Sequence, residues 1–125
     1  MSASADAVPM FPAFRRDVRS GLVVTAGIAA LDPLTMIPLH DEFDTQAQWV
    51  LDRLDTVLGE AGCNRRNVLR LECFLADRGW FNQWNNHFAA RFGDSPPARS
   101  TLVCTLPAAG LLLEIQAIAA VEDLH

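Results

Sequence analysis

Asp94-Ser-Pro-Pro-Ala-Arg99-Ser-Thr-Leu-Val-Cys-Thr-Leu-Pro-Ala-Ala-Gly110-Leu-Leu-Leu-Glu114-Ile-Gln-Ala-Ile-Ala-Ala-Val121 sets one arginine and one glutamate in otherwise apolar, strand-like sequence. Thr101 to Leu106 and Leu111 to Val121 are rich in Leu, Val, Ile and Thr. Pro107-Ala-Ala-Gly110 divides them, which predicts two strands joined by a short turn. Pro96 and Pro97 restrict their own φ and the residue before them, so the loop delivering Arg99 is expected to be rigid. Paired as a hairpin with a four-residue loop, the runs set Leu106 opposite Leu111, Val103 opposite Glu114 and Arg99 opposite Ile118. The period of two then puts Arg99, Thr101, Glu114 and Gln116 on one face. Arg99 and Glu114 stand four residues apart in that register, roughly 13 Å, a spacing for a small molecule between them rather than a direct ion pair. Spacing alone leaves Glu114 open between a ligand-facing acid, a structural ion-pair member and a residue of a solvated face.

Working outward, Val68 to Leu75 alternates and reads as another strand, with Arg70 and Glu72 on one face as a structural pair. Asp77 is expected to cap a helix running to Phe92, with Phe81, Trp84, Phe88 and Phe92 as its core stripe and Gly93 at its end. A longer helix is expected from Phe43 to Ala61, where Phe43, Ala47, Val50, Leu51, Leu54, Val57 and Leu58 recur at steps of three and four. Asp44 is its expected N-cap, Gly62 lies just past its end, and Gln46, Gln48, Asp52, Arg53 and Glu60 form its solvated face. Phe14 to Arg19 and Leu22 to Ala26 read as a hairpin closed by the two-residue turn Ser20-Gly21. Gly27 follows where backbone is expected to approach something closely. Residues 1–12 read as a loose arm and 13–125 as a single domain. The order β-β-α-β-α-β-β indicates an α+β fold, a mixed sheet with two helices on one face.

All ten basic residues are arginine, and lysine and tyrosine are absent. Schiff-base, pyridoxal-phosphate and P-loop chemistries each need a lysine and are excluded. Proton transfer is left to Asp, Glu, His and Cys. A net charge of −5 gives no overall electrostatic footprint for nucleic acid, and none is expected as a partner. Cys63, Cys73 and Cys104 lack a paired spacing, and His40, His87 and His125 are scattered, so no metal and no disulfide framework is expected. With no secretory segment and no apolar run of membrane-spanning length, a cytoplasmic protein with reduced thiols and no membrane partner is expected. Half the residues are hydrophobic, enough that part of that surface is expected to pack against other copies of the chain.

The Pro-Pro-Ala-Arg99-Ser block, followed fifteen residues later by Glu114 in Leu-Glu-Ile-Gln-Ala-Ile-Ala, resembles the C-terminal block of the RidA (YjgF) family of reactive-imine deaminases. That family usually has Val-Glu-Ile-Glu-Ala-Ile-Ala there, so Gln116 replaces its second acid. Phe74-Leu-Ala-Asp77, Phe81, Asn85, Phe88 and Arg91-Phe92 resemble another family block, with phenylalanine at Phe88 for its tyrosine. In a third block the family's pocket tyrosine falls on Phe14 and its Ser-Gly on Ala26-Gly27.

The resemblance implies a chorismate-mutase-like homotrimer with pockets between subunits. It also implies that the last two strands need not be neighbours, which leaves open whether Arg99 and Glu114 meet within one chain or across an interface. Arg99 and Glu114 are then the catalytic pair and Phe14, Gly27, Thr101, Phe88 and Asn85 line the substrate. The reaction implied is hydrolytic deamination of small 2-imino or enamino acids, carboxylates all, to 2-keto acids and ammonia, without cofactor. Loss of the tyrosine hydroxyl at Phe14 keeps two alternatives open: a different enamine substrate such as an aminomuconate, and a non-catalytic carboxylate-binding regulatory trimer. The family's RNA-cleaving reputation finds no support in the net charge or in any pairing of histidines.

Overall fold

Leu113, Ile115, Ala117 and Ala119 are buried while Glu114, Gln116, Ile118 and Ala120 between them are half-buried. That period of two belongs to a strand with one face on a core and the other uncovered. This strand, β5 (Leu113–Ala120), is central to a five-stranded mixed sheet in a computed structural model that describes residues 10–121. The other strands are β1 (Phe14–Arg16), β2 (Leu22–Thr25), β3 (Val68–Leu75) and β4 (Ala98–Val103), and the sheet order is β1-β2-β5-β3-β4. β5 runs antiparallel to both β2 and β3, and β4 lies parallel to β3. Helices α1 (Phe43–Glu60) and α2 (Phe81–Phe92) pack on the face of Val23, Leu71, Cys73, Leu75, Leu113 and Ile115, completing one apolar core. Residues 1–9 of the expected arm, and 122–125 at the end of the expected domain, lie outside the described residues. Among the described residues no helix is long and apolar enough to cross a membrane.

The expected hairpin between the last two strands does not form, because β3 lies between β4 and β5. The Pro-Ala-Ala-Gly segment is part of a longer loop, 104–112, that steps over the end of β3. Cys104 N donates to Leu75 O on one side of that end (3.0 Å), and Ala76 N donates to Leu112 O on the other (2.9 Å).

Buried Gln46 holds this loop down, and its expected place on a solvated helix face is wrong. Its Nε2 donates to His40 O (2.9 Å) and Gly110 O (3.0 Å), and its Oε1 accepts from Leu112 N (2.9 Å). A side chain that satisfies three main-chain groups inside the fold outweighs the cost of burying an amide.

Three local readings also change. Glu42, not Asp44, occupies the N-cap of α1, and Asp44 instead accepts from His87 Nε2 (2.8 Å), joining the two helices. Asp77 caps the short 3₁₀ turn Arg78–Trp80 that precedes α2, through Gly79 N (2.7 Å). The first hairpin is closed by four residues rather than two. Asp17 accepts from Ser20 N and Oγ, and Gly21, at φ 76°, brings its N–H back to Asp17 O.

Gln46→Leu should leave those three main-chain groups without partners and cost roughly 3 kcal/mol, or about 10 °C in Tm. Gln48→Leu, on the exposed side of the same helix, should stay within about 0.5 kcal/mol of wild type. Thermal unfolding of the two variants checks the contrast.

Candidate functional site

Arg99 lies beside Leu71 in the β4–β3 register, so its side chain shares the helix-covered face of the sheet. Its Nη2 donates to Asn85 Oδ1 at 2.7 Å. Its guanidinium carbon stands 4.7 Å from the Phe88 ring centroid and 5.7 Å from that of Phe81. Phe81, Asn85 and Phe88 fall at i, i+4 and i+7, one stripe of α2, while Trp84 and Phe92 on the next stripe enter the core. The aromatic series expected as a single core stripe is therefore split between core and cradle. Ring faces and an amide oxygen fix the plane of a permanently charged group. No carboxylate pairs with Arg99 among the described residues.

The Trp84 Nε1 and Thr101 Oγ1 atoms are buried with no nitrogen or oxygen partner among the described residues, and only the Cys73 sulfur faces them as a weak one. Cys73 lies beside Thr101 in the register. Burial pushes its thiol up to about 11, against smaller lowering effects of Trp84, Arg99 and Thr101. It stays protonated at neutral pH and is no nucleophile there.

Glu114 sits opposite Phe74, on the uncovered face of the sheet. Its carboxylate lies against Gly27, where a Cβ built on the glycine would collide with Oε2. It makes no hydrogen bond or ion pair among the described residues, and burial raises its pKa above the ordinary Glu value of 4.5. Phe14 is half-buried against the edge of the core and borders a shallow groove of about 380 Å³ that also reaches Gly27.

The expectation that Arg99, Thr101, Glu114 and Gln116 share one face fails. Register and parity put Arg99 and Thr101 on one side of the sheet and Glu114 and Gln116 on the other. Two strand spacings and three residues also separate Arg99 from Glu114, about 14 Å between backbones. The chain thus presents two candidate half-sites: Arg99 with Asn85, Phe88 and Thr101, and Glu114 with Gly27. Phe14, beside Thr25 in the β1–β2 register, lies on the helix side of the sheet and is linked to the second only through the groove that reaches Gly27. Phe81, expected in the core stripe, is exposed and belongs to the Arg99 cradle. Its spacing to Asn85 and Phe88 carries that placement, given that Arg99 runs beside α2. Among the described residues no three His, Cys, Asp or Glu side chains converge as a metal site requires.

The uncovered face carries its own polar network. Arg70 donates to Glu72 (3.3 Å) and Ser100 Oγ (2.7 Å), and Gln116 Nε2 donates to Glu72 Oε1 (2.7 Å). These groups satisfy one another, in contrast to the open valences of Arg99 and Glu114.

Comparison with known proteins adds the following. The family model described as Endoribonuclease L-PSP matches residues 6–121. A RutC family protein of Synechocystis sp. is 37% identical over 114 residues, 89% of this chain and 87% of that protein. The 2-iminobutanoate/2-iminopropanoate deaminase of Mus musculus is 33% identical over 98 residues, 78% of this chain and 72% of that protein. A crystal structure of RidA from the Antarctic bacterium Psychrobacter sp. superposes with a TM-score of 0.79 at 26% identity, covering 92% of this chain and 91% of that one.

Gly27→Ala should cost about 1–3 kcal/mol, because its methyl group claims the volume of the Glu114 carboxylate. The double variant Gly27→Ala/Glu114→Ala should recover most of that loss. Chemical denaturation of the four members of the cycle measures the coupling, and additive losses would contradict the contact.

Proposed function

The chain belongs to the Endoribonuclease L-PSP family, the YjgF/RidA group, and from that membership we propose that it hydrolyses small 2-imino or enamino acids to 2-keto acids and ammonium. The observation that carries the reading is the pair of unneutralised charges. Among the described residues Arg99 is held flat with no acid beside it, and Glu114 is half-buried with no base beside it. The name of the mouse relative supports the same reaction class.

In this reading Arg99 binds the substrate carboxylate bidentately, and Asn85 and Phe88 fix the angle of the guanidinium. The main chain near Gly27 and Thr101 orients the imine nitrogen. Glu114 takes a proton from water as the water oxygen bonds to the electrophilic imine carbon, then returns it to nitrogen. The C–N bond of the resulting carbinolamine breaks, the hydroxyl proton leaves through Glu114, and a 2-keto acid and ammonium are released. One iminium and one water thus balance one ketone and one ammonium, and no redox partner enters.

Opposite faces of one sheet cannot close on one small substrate, so the proposal requires Arg99 and Glu114 to come from different copies. The uncovered face offers the surface for such association. Val24, Leu22 and Leu102 are 45, 40 and 51% exposed there, around the satisfied Arg70–Glu72–Gln116 network. A homotrimer with sites between copies is the proposed assembly.

A second reading, a carboxylate-binding trimer without turnover, is favoured by one observation: Phe14 offers no hydroxyl to the groove that reaches Gly27. Ammonium release from 2-iminobutanoate generated in situ separates the two. Wild type should accelerate it, and Arg99→Ala should lower kcat/KM roughly 10²–10³-fold through lost charge-assisted hydrogen bonds. Glu114→Gln should lower kcat roughly 10²–10⁴-fold. A base must be ionised to act, so wild-type activity should fall as pH drops through the raised pKa of Glu114, above 4.5, and the Gln variant should lose that acid limb. Mixed trimers refolded from equal amounts of the two variants should regain about one intact interface in four. Recovery of no activity on mixing argues against the shared site, and carboxylate binding without any turnover by wild type favours the regulatory reading.

A further inference from the structure

A cavity of about 450 Å³, open to solvent along exposed Phe11, adjoins the groove beside Phe14 and shares Phe11, Pro12, Ala26 and Gly27 with it, but neither Arg99 nor Glu114 lines it. Its origin is local. The chain before β1 keeps pairing past the strand, with Ala26 N donating to Ala13 O, so residues 10–13 run beside 26–29. The β2–β5 register then slips by one between Val24↔Ile118 and Ile28↔Ile115, which bends the segment around Gly27. Trp49, Arg53 and Val57, at i, i+4 and i+8 on α1, cover the gap that results. Because α1 forms its roof, the cavity belongs to the helix side of the sheet. Gly27 separates it from Glu114, which lies against the glycine on the uncovered side.

The lining is selective. Phe11, Pro12, Ile28 and Val57 are apolar, and Trp49 packs one side against the core while bordering the cavity. The single charged residue of the lining is Arg53, which forms no ion pair or hydrogen bond among the described residues. A volume of this size is in the range of small-molecule sites, in which mostly apolar walls carry affinity and one or two polar groups fix orientation. One guanidinium matches one carboxylate bidentately. A phosphate dianion would need further donors, and the chain has no lysine to add. An indole beside an apolar wall favours a flat or branched hydrocarbon body.

We propose that this cavity is a second binding site, for a small carboxylate bearing an aromatic or branched apolar group, with its body against Trp49 and its carboxylate on Arg53. The site does not depend on the deamination reading, since neither Arg99 nor Glu114 lines it, although it adjoins the Phe14 groove through Phe11, Pro12, Ala26 and Gly27.

Phenylacetate is the probe, titrated into ¹⁵N-labelled wild-type protein while the Trp49 indole N–H is followed, with Trp49→Phe fixing the assignment. A saturable shift is expected. Arg53→Ala should weaken it about tenfold or more through loss of a charge-assisted contact, and benzyl alcohol, of like shape without the charge, should bind as weakly. Arg99→Ala should leave the Trp49 response intact, and Arg53→Ala should deaminate 2-iminobutanoate at the wild-type rate. Arg53 is exposed, so its replacement does not endanger the fold. The proposal is overturned if the Trp49 signal fails to saturate up to the solubility limit of phenylacetate, if Arg53→Ala binds with unchanged affinity, or if Arg99→Ala abolishes the response. That last result would place the ligand at the Arg99 clamp alone.

Discussion

β5 is hydrogen-bonded along both edges, to β2 and to β3, and its strict alternation commits every neighbour to a face. A one-residue slip would turn Leu113, Ile115, Ala117 and Ala119 out of the core and drive Glu114 and Gln116 into it. Burial of those four residues against α1 and α2 therefore fixes the register. The register then fixes the side of the sheet on which each charged residue stands. Arg99 inherits the helix side through β4 and β3, and Glu114 the uncovered side through β5 itself.

Element type and order were legible in the residues because each element carries its own period. β3 matches its expected bounds, α1 departs by a single residue at its C-terminal end, and Gly62 and Gly93 close the helices at φ 84° and 55°. Pairing was not legible in the same way, because period says nothing of which edges meet. A Pro-Ala-Ala-Gly tetrapeptide between two apolar runs satisfies a hairpin turn locally. What separates the strands is β3, whose two edges both demand partners, and Gln46, whose amide holds the crossing loop from sixty-odd residues away. No local pattern distinguishes that amide from its solvated neighbour Gln48.

Charge behaved differently from hydrophobicity. Arg65, Arg70 and Arg91 have acid partners at 3.3 Å or less, and Asp44 has His87. These contacts join α1 to α2, tie Asp55 of α1 to Arg65, or lie along β3, and their mutual satisfaction marks them as structural. Arg99 and Glu114 stand out in the sequence as rare charges in apolar strands, and that rarity holds in the fold. Their expected common face did not survive, because it depended on the one pairing that period cannot supply.

The uncovered sheet face and the separated half-sites are two consequences of the same topology. Putting both helices on one side of a five-stranded sheet leaves Leu22, Val24 and Leu102 exposed on the other, together with half-buried Phe74 and Ile118. A monomer that exposes such a face gives up much of the apolar burial available to a chain of this composition. β4, which carries Arg99, is an edge strand, and its free edge lets a neighbouring copy approach Arg99 and Phe88 without displacing any pairing within the chain. Association through the face that holds Glu114 would cover apolar surface and bring a foreign half-site to each carboxylate. Under the proposed assembly, stability and chemistry follow from one act of burial. Phe14 packs against the core beside the groove that reaches Gly27, where it offers shape but no hydroxyl. In the proposed reaction the polar selection of substrate is left to Arg99 and the main chain, a clamp for a carboxylate that makes little demand on the rest of the molecule.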